Sequence, residues 1–120
     1  MHFELHQINE TRIVEIISDG FVINNIEDGI DLVGNIYYQD VDKVILHEKN
    51  ITPTFFDLST GIAGEVLQKF SNYRIRLAIV GDFSKYTSKS LNDFIYESNK
   101  NRKINFVVDV NEAKSRLLSH

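Results

Sequence analysis

Cysteine is absent from the 120 residues of this chain, and with it go disulfides, thiol nucleophiles and thiolate metal ligands. That composition suits a reducing compartment, and the cytoplasm is the expected location. Long apolar runs are absent too. No stretch approaches the roughly 18 apolar residues of a membrane span, and the opening Met1-His2-Phe3-Glu4-Leu5-His6 lacks the apolar core of a signal peptide, so neither insertion nor export is expected. Positive charge is scarce. The 13 Lys and Arg face 17 Asp and Glu, a net charge of -4, which repels a phosphate backbone and sets nucleic acid aside as an expected partner. Linker-like segments rich in Pro, Gly or Ser are missing, as is any internal repeat, so residues 1–120 read as one domain.

The charge that is present is uneven. Residues 1–60 hold 3 Lys and Arg against 11 Asp and Glu, whereas residues 61–120 hold 10 against 6. Solvated helix faces explain most asymmetry of this kind, and an acidic docking surface on the first helix is the sharper reading.

Hydrophobic spacing sets the expected elements. Phe3 to Gln7 and Arg12 to Ile17 are short β-branched runs around Asn9-Glu10-Thr11, the pattern of a hairpin. Asn24 with Glu27 has the spacing of a capping box, and Ile26, Ile30, Val33 and Tyr37 follow as the inward stripe of a first helix, with Glu27, Asp28 and Asp31 outward. Val44-Ile45-Leu46 and Leu77-Ala78-Ile79-Val80 are continuous apolar runs, tolerated where a strand is covered on both faces. Between them Thr52-Pro53 resembles a cap and first turn, and Phe55, Leu58, Ile62, Val66 and Phe70 carry a helical stripe. Gly61 and Gly64 interrupt it, which calls for a bend or a new helix start near Ser59. A third helix capped by Thr87 or Ser88, a fifth strand over Ile104 to Val108, and a short helix capped by Asp109 with Glu112 complete the chain.

The order β-β-α-β-α-β-α-β-α belongs to the α/β class, with a mostly parallel mixed sheet and an antiparallel start. It resembles the STAS domains, the fold of bacterial anti-sigma factor antagonists. The stretch Phe56-Asp57-Leu58-Ser59-Thr60-Gly61-Ile62 is similar to the antagonists' Asp-Ser-Ser-Gly-Leu, with Leu58 as an extra residue and threonine in place of the second serine. Because that serine is phosphorylated in the antagonists, the resemblance implies a modification or partner-binding position at Ser59 or Thr60. Three stretches, Ile45 to Asn50, Gly64 to Tyr73 and Ala78 to Ser84, resemble a family of small bacterial proteins known as domain of unknown function 4180. That likeness implies no activity.

In open α/β sheets the C-terminal strand ends form the ligand crevice, and that edge should gather His47, Glu48, Asp82 and Lys89. His47 could act as a base if Glu48 or Asp82 oriented its ring. Adjacent residues on a strand point opposite ways, so Glu48 is not that carboxylate. The loop Asp82 to Ser90, rich in hydroxyls ahead of a helix, is a fair setting for an anion but carries no P-loop pattern. His2, His6, His47 and His120 are not expected to converge as ligands, and neither metal nor cofactor is expected. The aromatic residues fall at helical core spacing rather than on a basic groove.

The leading expectation is therefore a noncatalytic regulatory or protein-interaction domain of STAS type. It would contact a protein partner around the second-helix start and be open to switching by phosphorylation at Ser59 or Thr60. The alternative is a small-molecule or anion-binding domain, or a minor enzyme, using His47, Glu48, Asp82 and Lys89.

Overall fold

The computed structural model describes residues 1–119. The chain opens with the hairpin β1 (His2–Ile8) and β2 (Thr11–Ile17), joined across Asn9 and Glu10. Asn9 takes the left-handed conformation, with φ 56, that tight two-residue turns demand and that asparagine tolerates better than most residues. There follow α1 (Ile26–Tyr38), β3 (Lys43–His47), α2 (Ile62–Asn72), β4 (Arg76–Val80), α3 (Lys89–Asn101), β5 (Ile104–Val107) and α4 (Val110–Leu118). This is an α/β fold with the element order expected from the spacing of apolar residues.

The sheet runs β1-β2-β3-β4-β5, antiparallel between β1 and β2 and parallel thereafter. Each crossover from β2 to β5 advances one strand in the same direction, and the right-handed rule then sends every connecting helix to the same face. Accordingly α1, α2 and α3 pack together on Val14, Ile16, Val44, Leu46, Leu77, Ile79 and Phe106. Only α4, with nothing left to connect, crosses to the other face, where Ala113 and Leu117 meet Ile13, Ile45, Ala78 and Val107. The apolar runs Val44-Ile45-Leu46 and Leu77-Ala78-Ile79 lie side by side with no accessible surface, their alternate residues feeding the two cores. Val80, expected to be equally covered, is only half-buried, at the end of β4 against the core on the α4 side.

Two local expectations are corrected. The N-cap of α1 is Asn25, not Asn24: Asn25 Oδ1 accepts from the Asp28 amide at 2.8 Å, while Asp28 Oδ2 accepts from the Asn24 amide at 2.9 Å. Either asparagine is chemically able to cap, and packing chose between them. The helix buries Gly29, Leu32, Val33 and Ile36, which leaves Ile30 and Tyr37 exposed rather than inward. Hydropathy counting passes over Gly29, yet its missing Cβ is what admits the Val66 side chain of α2. The second correction is that no continuous helix starts at Pro53. Separate 3₁₀ turns, Pro53–Phe56 and Leu58–Thr60, precede α2, and Gly61, at φ 82, makes the left-handed link between them and the helix.

Candidate functional site at the carboxyl ends of the strands

β2, β3 and β4 end at Ile17, His47 and Val80, and the loops that follow carry most of the ionisable residues singled out from the sequence. Alternation on β3 sends His47 to the α4 side, with Ile45, while Glu48 opens a 3₁₀ turn, Glu48–Asn50, and is drawn into a different cluster. The two do not pair.

His47 is instead oriented by Glu15. Parallel pairing sets Glu15 beside Ile45, two residues before His47 on the same face, and antiparallel pairing sets His6 opposite Ile13, two residues before Glu15. Both histidines thus reach Glu15 along cross-strand diagonals, a distance long side chains span. His47 Nε2 lies 2.6 Å from Glu15 Oε2 and His6 Nε2 lies 2.8 Å from Oε1. An ionised carboxylate only accepts, so each ring donates its Nε2–H. Glu15 is 8% exposed. Burial by itself would raise its carboxyl, but the hydrogen bonds and charge of His47 and His6 outweigh that and hold it below the ordinary value of 4.5.

A second carboxylate, Glu48, is equally buried at 8% exposure. It accepts from the Tyr86 hydroxyl and from Lys85 Nζ at 2.9 Å. Burial, and then the hydrogen bond and charge of Glu48, push the Tyr86 phenol well above its ordinary range. The Tyr86 ring stacks on Phe56 with centroids 5.1 Å apart. Space for Glu48 depends on Gly81, where a Cβ would lie 2.6 Å from both Cβ and Oε1 of the glutamate. Beside this cluster opens a cleft of about 320 Å³ lined by Phe21, Lys49, Ile51, Lys85 and Tyr86 as well as Glu48. Below it Asn50, 1% exposed, ties the Ser18–Gly20 loop by donating Nδ2–H to the carbonyls of Ser18 and Gly20, at 2.9 and 2.8 Å.

Asp82 is exposed and serves its own turn: Oδ1 accepts from the Ser84 amide at 3.1 Å and hydroxyl at 2.5 Å. Those bonds hold its carboxyl below the usual aspartate value. Asp57 repeats the device on Ser59, at 3.1 and 2.7 Å, with the same effect on its pKa. Lys89 projects from the first turn of α3 and pairs with Asp93 at 2.7 Å. Of His47, Glu48, Asp82 and Lys89, the cleft gathers only Glu48; His47 faces α4, and Asp82 and Lys89 point to solvent. Ser59 and Thr60 are both exposed, and Thr60 Oγ1 is 3.0 Å from the Thr54 carbonyl and 2.9 Å from that of Asp57.

His2 and His6, four residues apart, would be neighbours on a helix but stand about 13 Å apart along a strand. Among the described residues no group of three or more His, Asp or Glu side chains is arranged to hold a metal ion; His120 lies outside the described residues. Among the described residues no helix is long and apolar enough to cross a membrane. Sequence reading missed Glu15 and Tyr86. The signal for Glu15 was a lone acid inside the apolar run Ile13-Val14-Glu15-Ile16-Ile17, a position that demands a partner.

A family model for a domain of unknown function, DUF4180, matches residues 8–117. The chain belongs to the DUF4180 family. The match takes in Glu15, His47, Glu48, Ser59, Thr60, Tyr86, α1 to α3 and all but the last residue of α4, while His6 lies just ahead of it. No curated protein and no solved structure matches the chain. DUF4180 membership names no chemistry.

Proposed function

We propose that this DUF4180 domain is a noncatalytic protein-interaction module of STAS type, working in the bacterial cytoplasm, whose partner binding is switched at Thr60. The observation that carries the reading is the exposed Ser59-Thr60 turn at the entry to α2. The ionisable groups nearby support it. Glu15 is engaged with His6 and His47, and Glu48 with Lys85 and Tyr86, so neither buried carboxylate is left without a partner. Phosphoryl transfer from a nucleoside triphosphate to Thr60 Oγ1 would form the O–P bond as the bond from the γ-phosphorus to the bridging oxygen breaks, replacing O–H by O–P and releasing a nucleoside diphosphate and the proton. The turn would lose its donor to the Thr54 and Asp57 carbonyls. It would gain roughly two negative charges beside Asp57, enough to repel an acidic partner surface or recruit a basic one. Thr60→Ala and Thr60→Glu both delete the hydroxyl, so their melting temperatures should agree with each other while the partners they retain in affinity capture differ. Identical partner lists, or a Glu variant that unfolds, would reject the switch.

A second reading rests on the cleft beside Glu48. Lys49 and Lys85 flank it and Phe21 is half-exposed at its rim, a setting for a small anion with an apolar body. A ligand bound there would raise the melting temperature of the wild type in a metabolite screen and lose that effect in Lys85→Ala.

A further inference from the structure

Far from Thr60, at the amino ends of the strands, lies a surface that the Thr60 reading leaves unused. α1 and α2 both direct their C-termini there. Between them runs a groove made of hollows of about 510 and 680 Å³ that meet at Tyr73. Gly34 forms its floor, exposed and with nothing within 4 Å of where a Cβ would stand. Ile30 and Tyr37 edge the groove from α1, and the Tyr37 and Tyr73 rings approach to 5.0 Å between centroids. Tyr38, 90% exposed, stands at the open end with Glu10, Asp40 and Asp42.

Exposed tyrosines clustered in a concavity are the residues that anchor protein interfaces, offering large rigid contact area at small entropic cost. Charge selects the occupant. α1 carries Glu27, Asp28 and Asp31 and no lysine or arginine, so the negative end of its dipole has no basic residue in the last turn. Glu27, Asp31 and Tyr38 follow one another up a single stripe of the helix. Of the charged residues lining the groove, Lys43 pairs with Asp42 at 3.3 Å, which leaves Glu10, Asp31 and Asp40 against Arg12 and Lys69.

We infer that this groove docks a basic linear segment of another protein, its arginine or lysine side chains meeting Asp31, Asp40 and the α1 C-terminus and stacking on Tyr37 and Tyr38. The inference does not depend on modification of Thr60.

The test is fluorescence anisotropy on the full chain with a labelled peptide of about ten residues alternating arginine and leucine, beside a glutamate–leucine peptide of equal length. The basic peptide should bind, and binding should weaken as salt rises. Tyr38→Ala and Asp31→Lys should each weaken it by about tenfold, as for anchor residues. Gly34→Leu, which fills the floor without meeting a neighbour, should abolish it while the circular dichroism spectrum stays that of the wild type and the melting temperature does not fall, leucine being the better helix former. Asp82→Lys changes net charge as much as Asp31→Lys does, but at the opposite edge, and should leave binding intact. Equal loss in both lysine variants would mean attraction to overall charge and would overturn the proposal. So would binding of the acidic peptide, or a concentration-dependent dimer in sedimentation that Gly34→Leu dissolves, since a second copy of the chain would then be the occupant.

Discussion

A buried carboxylate in a small domain is tolerable only with partners, and Glu15 has one on either side, each on a different strand. The contact therefore joins β1 to β2 and β2 to β3 through side chains, in addition to the backbone ladder. Since the folded carboxyl lies below its ordinary value of 4.5, the stability Glu15 contributes is complete above that pH and is lost as pH falls through the lower, folded value. Glu15→Gln keeps the shape and removes the charge. Thermal melts against pH should show the wild type losing stability more steeply than the variant below pH 4.5, the two curves converging in acid. Parallel curves would mean that the carboxylate contributes no more than a neutral amide. Glu48 illustrates the same rule in another way, because its room depends on a residue with no side chain, Gly81.

Among the elements, α1 and α2 approach closely where the Gly29 position is open to the methyl groups of Val66. A Cβ there would lie 2.8 Å from Val66 Cγ1, inside van der Waals contact, and both residues are fully buried in the same core. Gly29→Ala should therefore destabilise the domain by about 1–3 kcal/mol in urea unfolding, the cost of overpacking, although alanine is the better helix former by about 1 kcal/mol. Gly29→Ala combined with Val66→Ala should recover part of that loss, which separates the clash from any effect on the helix alone. α4 is held by a different means. The Arg76 guanidinium donates to the carbonyls of Arg116, Leu117 and Ser119 at the end of α4, each at 2.8 Å, and to that of Arg102. A single side chain of β4 thus supplies donors to a helix end whose carbonyls have no partner within the helix.

At the scale of the whole molecule, the central strands belong to two cores at once, and Ile79 has no accessible surface. Ile79→Ala should cost about 2–5 kcal/mol by denaturant unfolding, through lost burial and the cavity left behind, a large part of the roughly 5–15 kcal/mol that keeps a domain folded. A cost below about 1 kcal/mol would show that the core collapses around the gap. The class, the strand count and the doubly covered middle of the sheet were legible from the sequence, because continuous apolar runs and helical stripes are local patterns whose meaning does not depend on partners. Ser88 and Asp109 were legible as caps for the same reason: a cap bonds within its own turn. Which side of α1 faces inward was not legible, because the contact of Gly29 with Val66 belongs to the packing of α1 on α2 rather than to either stretch alone. Glu15 and His47 are far apart along the chain, as are Glu48 and Tyr86, and Tyr37 and Tyr73. Local spacing carries no record of such pairs; strand order and register, which only the folded sheet supplies, bring them within reach of one another.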